Sequence, residues 1–207
     1  MTVVAIVVVV ALVVCWVATV ARRVRRCSAS LTASRALLET EIDRRHAQTE
    51  TLVAATRVAG VGSAFTGPLA GARSLAIGVR DQGLTLRERA GAENALSVAL
   101  HAVTNVAATD PAVKNDWAIQ RPILDLATTE QRLAGAARVY NDHAAAMNGL
   151  LRGVTRVPAR LFGALPATLF EADVTEVAPY ADDAVRSSDD HGLGSLVETG
   201  RDEGAVR

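Results

Sequence analysis

Nineteen consecutive uncharged residues, Val3 to Ala21 (VVAIVVVVALVVCWVATVA), constrain this chain more than any other feature. At about 1.5 Å per residue they make a helix of roughly 28 Å, close to the thickness of a bilayer's hydrocarbon layer. Valine is a poor helix former in water, but in lipid every backbone group must find its partner within the segment, and a helix is the one local solution. Trp16 lies about a turn and a half from the end, at the level where aromatic rings meet headgroups.

Arg22, Arg23, Arg25 and Arg26 follow at once, and no basic side chain precedes the run. By the positive-inside rule the C-terminal side then faces the cytoplasm. A cleaved signal peptide would carry its positive charge before the apolar run. A lipoprotein would have a small residue before its cysteine, whereas Val14 precedes Cys15 and arginines precede Cys27. The arginine cluster has no interleaved aromatics, so a topogenic role is favoured over nucleic-acid binding. The two cysteines form no paired motif and imply no disulfide framework.

Beyond the arginines the pattern is helical. Residues 28–59 lack Gly and Pro, and Leu31, Leu38, Ile42 and Leu52 recur at helical spacing. Gly60, Gly62, Gly67 and Pro68 punctuate the chain. A second stretch runs from about Leu69 to Ala107 and shows Leu96, Leu100 and Val103 on its best apolar face; its glycines predict a break between Gly78 and Gly91. Asp110 and Pro111 start the next element as N-cap and first helical residue. A third helix is marked by Ile119, Ile123, Leu126, Glu130, Leu133, Ala137, Tyr140, Ala144, Met147, Leu151 and Val154, spaced alternately by four and three. That 3.5-residue repeat is the seam of a helix packed along others. Pro122 is expected to interrupt it, so that the regular helix begins there. Glu130 is the one charge on the seam. Either it pairs with an arginine such as Arg45, on the apolar side of the first helix, or both snorkel at the bundle edge. The apolar segment from Leu161 to Phe170 is expected to cap the bundle end.

Formal net charge is zero but polarised: residues 1–168 hold 19 basic and 12 acidic side chains, residues 169–207 three and ten. From Asp173 onward the composition is that of a disordered acidic tail. Such a tail could fold back on the basic bundle and compete with an anionic partner; the simpler reading is a solvated tail.

The sequence offers no chemistry. His46, His101, His143 and His191 are scattered, without a His-Glu-x-x-His or a recurring carboxylate–histidine spacing. Gly60-x-Gly62-x-x-Phe65 lacks the third glycine of a dinucleotide fingerprint, and neither a P-loop nor a Gly-x-Ser-x-Gly occurs. The expectation is therefore no catalytic, cofactor-binding or metal-binding residue, no cofactor, no small-molecule substrate and no nucleic-acid partner.

The stretch from Thr129 to Asp142 (TEQRLAGAARVYND), the Val157-Pro158 and Leu169-Phe170-Glu171-Ala172 pairings, Arg44-Arg45-His46 with Leu52-Val53, Ala92-Glu93-x-x-Leu96 and Asp110-Pro111-x-x-Lys114 come in the order and spacing of a known pattern. Together they resemble the LemA family of bacterial membrane-anchored helical proteins, over roughly residues 1–172. The sequence departs from the family at Glu50, Thr51, Pro122 and Leu169, where the family usually has proline, asparagine, an uninterrupted helix and tyrosine. The resemblance implies a long antiparallel helical bundle after a transmembrane segment, with no catalytic residue to carry over, and structural roles for Tyr140, Asn141 and Phe170.

The sequence thus predicts an all-α chain: an N-terminal transmembrane helix with basic flank (1–27), a long antiparallel three- to four-helix bundle (28–172) and a disordered acidic tail (173–207). It is expected in the cell (inner or plasma) membrane, single-pass, with bundle and C-terminus cytoplasmic. The expected role is a non-enzymatic scaffold or adaptor whose partners are the bilayer and another protein, or a second copy, met through helical faces. The alternative is a regulator of a membrane-bound enzyme or protease; a hydrolase with an unrecognised site is a third class.

Overall fold

In the computed structural model the described residues are 1–172, and the acidic tail expected over 173–207 lies outside them. The fold is all-α. α1, Thr2–Val58, runs without a break from the apolar segment through the first bundle helix, as the absence of Gly and Pro dictates. Fifty-seven residues at about 1.5 Å each make it roughly 86 Å long. Its first part is long and apolar enough to cross a membrane and is almost wholly exposed.

α2 (Ser63–Asp81), α3 (Leu86–Thr109), the single turn α4 (Pro111–Lys114) and α5 (Trp117–Leu150) follow. A 3-10 turn (Gly153–Thr155) and α6 (Arg156–Leu161) close the helical part. α1 ends at Gly60 with φ +73°, a left-handed conformation that glycine adopts without strain. There the Val61 N–H reaches Thr56 O and the Gly60 N–H reaches Arg57 O, so the last carbonyls of the helix are satisfied. Gly83 ends α2 the same way. The expected break thus falls between Asp81 and Leu86. A capping box restarts the chain: Thr85 Oγ1 accepts from the Glu88 N–H, and the Glu88 carboxylate accepts from Thr85 N–H and Oγ1. Those two bonds, hydroxyl first, hold the Glu88 carboxyl below its usual range.

Two helix starts differ from expectation. α2 begins at Ser63, not near Leu69, and carries Pro68 inside it. α5 begins at Trp117, not at Pro122, because Asp116 caps it: Asp116 Oδ1 accepts from the Ala118 N–H at 2.9 Å. Pro122 is buried inside α5 near its start, so its missing N–H removes one early rung and leaves the later seam intact.

Contacts fix the directions. Arg80 pairs with Asp43 and Arg73 with Glu50, so α2 runs antiparallel to α1. Arg89 pairs with Glu39 and Arg45 with Glu93, so α3 runs parallel to it. α5 returns along α1 over its whole length. The core has three layers. The distal one joins Leu52, Leu69, Leu96, Leu100, Ile119 and Leu126, from α1, α2, α3 and α5. The middle one joins Leu38, Ile42, Leu133, Tyr140, Ala144 and Phe170. The basal one joins Val20, Val24, Met147, Leu150, Ala159 and Ala164. The bundle therefore tapers from four helices at the tip to α1, α5 and α6 at the base, and the base reaches the last residues of the apolar run. The seam is buried from Ile119 through Met147, with Ile123 half-buried; it ends at Leu150, while Leu151 is half-buried and Val154 is exposed in the 3-10 turn.

Candidate functional site

Two polar constructions stand out inside this apolar frame. The first lies between the middle and distal layers. Arg45 is fully buried there, one turn past Ile42 on the core face of α1. Its Nη1 donates to Glu93 Oε2 at 2.9 Å and Glu93 O at 3.3 Å; its Nη2 donates to Ser97 Oγ at 2.7 Å and Glu130 Oε1 at 3.0 Å. One guanidinium thus bridges α1, α3 and α5. Of the two readings open from sequence, pairing of Glu130 with Arg45 is the one realised, and Glu93 joins as a second carboxylate.

His46, buried beside it, sits 2.7 Å from Glu93 Oε1 through Nε2. An ionised carboxylate is acceptor-only, so Nε2 carries the proton in this contact. The backbone oxygen of His46 accepts from Arg73 Nε at 2.9 Å, and Arg73 also reaches Glu50 at 2.6 Å. Glu50 thereby ties α1 to α2. Next along, Glu39 accepts from Arg89 and Arg35. Burial raises its pKa, the hydrogen bonds from the two arginines lower it, and the net direction is downward.

The cluster holds charges but no exposed nucleophile, and two open clefts lie against the apolar end of α1 and beside Asn141 and Phe170. Among the described residues no group of three or more His, Cys, Asp or Glu side chains is arranged to hold a metal ion. Chemically the cluster is a lock. A buried cation must keep its carboxylates in reach, so any slip of α3 or α5 along α1 leaves a charge unpaired.

The second construction is the segment after α6. The sequence suggests a cap on the bundle end; instead residues 164–172 form an extended strap along the side of α5. Asn148 Nδ2 donates to Ala167 O and its Oδ1 accepts from the Ala167 N–H, at 2.8 and 2.9 Å. Asn141 does the same with Phe170, at 2.9 and 2.8 Å. Each carboxamide stands in for a neighbouring strand's peptide group. The spacing explains the fit: seven helical residues rise about 10.5 Å, and three extended residues span about 10 Å. Tyr140 Oη donates to Thr168 O at 2.9 Å, and Phe170 is buried in the middle layer. Burial pushes the Tyr140 phenol up, with nearby Arg35 pulling the other way.

This strap and the Tyr140-Asn141 pair that holds it coincide with the residues that carry the family resemblance. The LemA family model matches residues 35–181, more than half of the chain. The chain belongs to the LemA family. No curated protein matches it. For this LemA protein the geometry makes Tyr140, Asn141 and Phe170 parts of one joint that fastens the strap to the bundle. The sequence pattern puts Tyr140 on the seam and Phe170 in an apolar end segment; it does not single out Asn148 or Ser97, and it gives His46 no partner. The recoverable signal was Asn141 and Asn148, seven apart and so on one face of α5.

Proposed function

We propose that this LemA-family chain is a single-pass membrane scaffold or adaptor that holds a rigid helical bundle at a fixed attitude to the bilayer, on the cytoplasmic side. The observation that carries the reading is the continuity of α1, which is exposed and apolar at its start and core-forming beyond Val20. A hinge between anchor and domain would let the domain sample orientations; an unbroken helix gripped by α5 and α6 does not.

The scaffold presents a surface to a partner protein. At the distal tip, where α1 ends and α2 and α5 begin, Val58, Phe65 and Trp117 are exposed apolar residues that the bundle leaves uncovered. The LemA family is not a known enzyme family, and the buried charges are used in holding helices together. The arginines after the apolar run support the cytoplasmic assignment.

Crosslinking in membranes from a photoreactive residue at position 117, followed by mass spectrometry, tests the role. Crosslinks to a second copy, or to several proteins, support a scaffold. One foreign membrane enzyme or protease in fixed stoichiometry would replace it with a regulator. A reporter fused to the C-terminus tests sidedness, and activity only outside the cell would reverse it.

A further inference from the structure

The base of the bundle carries an apolar surface that no helix covers. Pro158 and Ala159 of α6 are buried, and Ala159 packs with Ala164, Val20, Val24 and Leu150 in the basal layer. The other side of the segment is the reverse of what water favours: Val154, Val157, Leu161 and Leu165 are 81%, 77%, 79% and 76% exposed. Phe162 stands over an open crevice formed with Val14, Val17 and Ala21 of α1, with Arg22 and Arg25 at its rim. From Val14 to Ala21 is seven residues, about 10 Å along the helix. Phe162 therefore borders a crevice that runs along the last turns of the apolar run and onto the first arginines.

The charges around this surface are of one sign. Arg152, Arg156 and Arg160 are exposed along the segment, and Arg22, Arg23, Arg25 and Arg26 are exposed on α1 beside it. Residues 1–38 and 143–170 contain no Asp or Glu at all. Among the described residues none of these seven arginines takes part in an ion pair that would neutralise it.

We propose that residues 152–165 are an interfacial foot: Val157, Leu161, Phe162 and Leu165 enter the bilayer beside the span, while Arg152, Arg156 and Arg160 bind anionic lipid headgroups. Exposed apolar side chains, interspersed arginines and continuity with a hydrophobic span describe a surface made for the headgroup–acyl boundary, where such segments sit about 5–10 Å deep. The basic collar fits an anionic leaflet. A water-soluble protein partner would not account for the juxtaposition of Phe162 with the span itself. The inference rests on the anchoring reading above and adds a second point of membrane attachment to it.

Spin labels decide it. The full chain, with Cys15→Ser and Cys27→Ser, is reconstituted one copy per nanodisc in mixed zwitterionic and anionic lipid, so that no second copy can provide the cover. Single labels are placed through Val8→Cys in the span, Leu161→Cys and Leu165→Cys in the foot, and Val98→Cys on the exposed face of α3. Collision with oxygen, which partitions into lipid, is compared with collision with a water-soluble nickel chelate. Labels at 161 and 165 are expected to be shielded from nickel severalfold relative to 98 and to favour oxygen, as at 8. Adding Arg152→Gln, Arg156→Gln and Arg160→Gln is expected to reduce that shielding. If position 8 is shielded while 161 and 165 collide with nickel as freely as 98, the foot is wrong and the anchor stands. If position 8 is itself open to nickel, the anchor fails and the foot with it.

Discussion

Arg45→Met is the sharpest perturbation of the fold. Methionine roughly replaces the aliphatic arm of Arg45 and deletes the guanidinium, and with it the bonds to Glu93, Ser97 and Glu130. Glu93 keeps His46 at 2.7 Å, but both carboxylates stay almost fully buried without the cation that faced them. Breaking a buried pair in this way costs about 3–5 kcal/mol, a large part of the roughly 5–15 kcal/mol that holds a domain folded. For a domain of this size the melting temperature should fall by roughly 6–20 °C, read by circular dichroism at 222 nm on the full chain in nanodiscs. Arg45→Lys, with a point charge in place of a fork, should lie between wild type and Met. Glu130→Met alone should also be costly, but Arg45→Met with Glu130→Met should cost less than the sum, by about 0.5–3 kcal/mol, because the second change removes a carboxylate the first had stranded. A melting temperature for Arg45→Met within about 2 °C of wild type, or strict additivity in the cycle, would refute the claim that one guanidinium locks three helices.

Three further outcomes are expected. Asn148→Ala breaks two strap hydrogen bonds, worth about 1–3 kcal/mol together, and should speed amide exchange across residues 164–170 while leaving α3 protected; unchanged exchange there counts against the strap. Tyr140 has a raised pKa, so its contribution is intact below the ordinary phenol value and is lost as pH rises through the folded value; Tyr140→Phe should flatten the alkaline limb of a pH–stability curve, and an unaltered limb would disprove the assignment. Glu39 has a lowered pKa, so its contribution is present above the ordinary carboxylate range and is lost as pH falls through the folded value; Glu39→Gln should weaken the protein at neutral pH and reduce its acid sensitivity, checked by melting at a series of pH values.

Local signals in the sequence were reliable where local physics decides the outcome. An absence of Gly and Pro made α1 continuous, glycines placed the break after Asp81, and a 3.5-residue seam located the buried face of α5 from Ile119 to Met147. Pro122 misled because a proline within the first turns of a helix costs one rung, and the Asp116 cap upstream outweighs it. The charge cluster was half legible: Arg45 on an apolar face and Glu130 on the seam suggested each other. Glu93 and Ser97 did not, because their meeting with Arg45 depends on how α3 is rotated and seated, which a sequence of separations of 48 and 52 residues does not specify. The end segment was legible as apolar, yet its direction was set by two asparagines on another helix, and Val154, in register with the seam, fell outside because the helix had already stopped at Leu150.

The continuity of α1 also makes the molecule a measuring rod. From Ala21, where the apolar run ends, to Val58 at the tip is 37 residues of one helix, so the tip stands about 55 Å along that axis from the end of the apolar run. On the anchoring proposed above, a protein that met Trp117 would have to reach that height, and one confined to the membrane surface would not touch it. If the run spans a bilayer as proposed, a tilt of a few degrees would sweep the tip sideways by several ångströms, so bilayer thickness, by setting tilt, would show as a displacement of the tip.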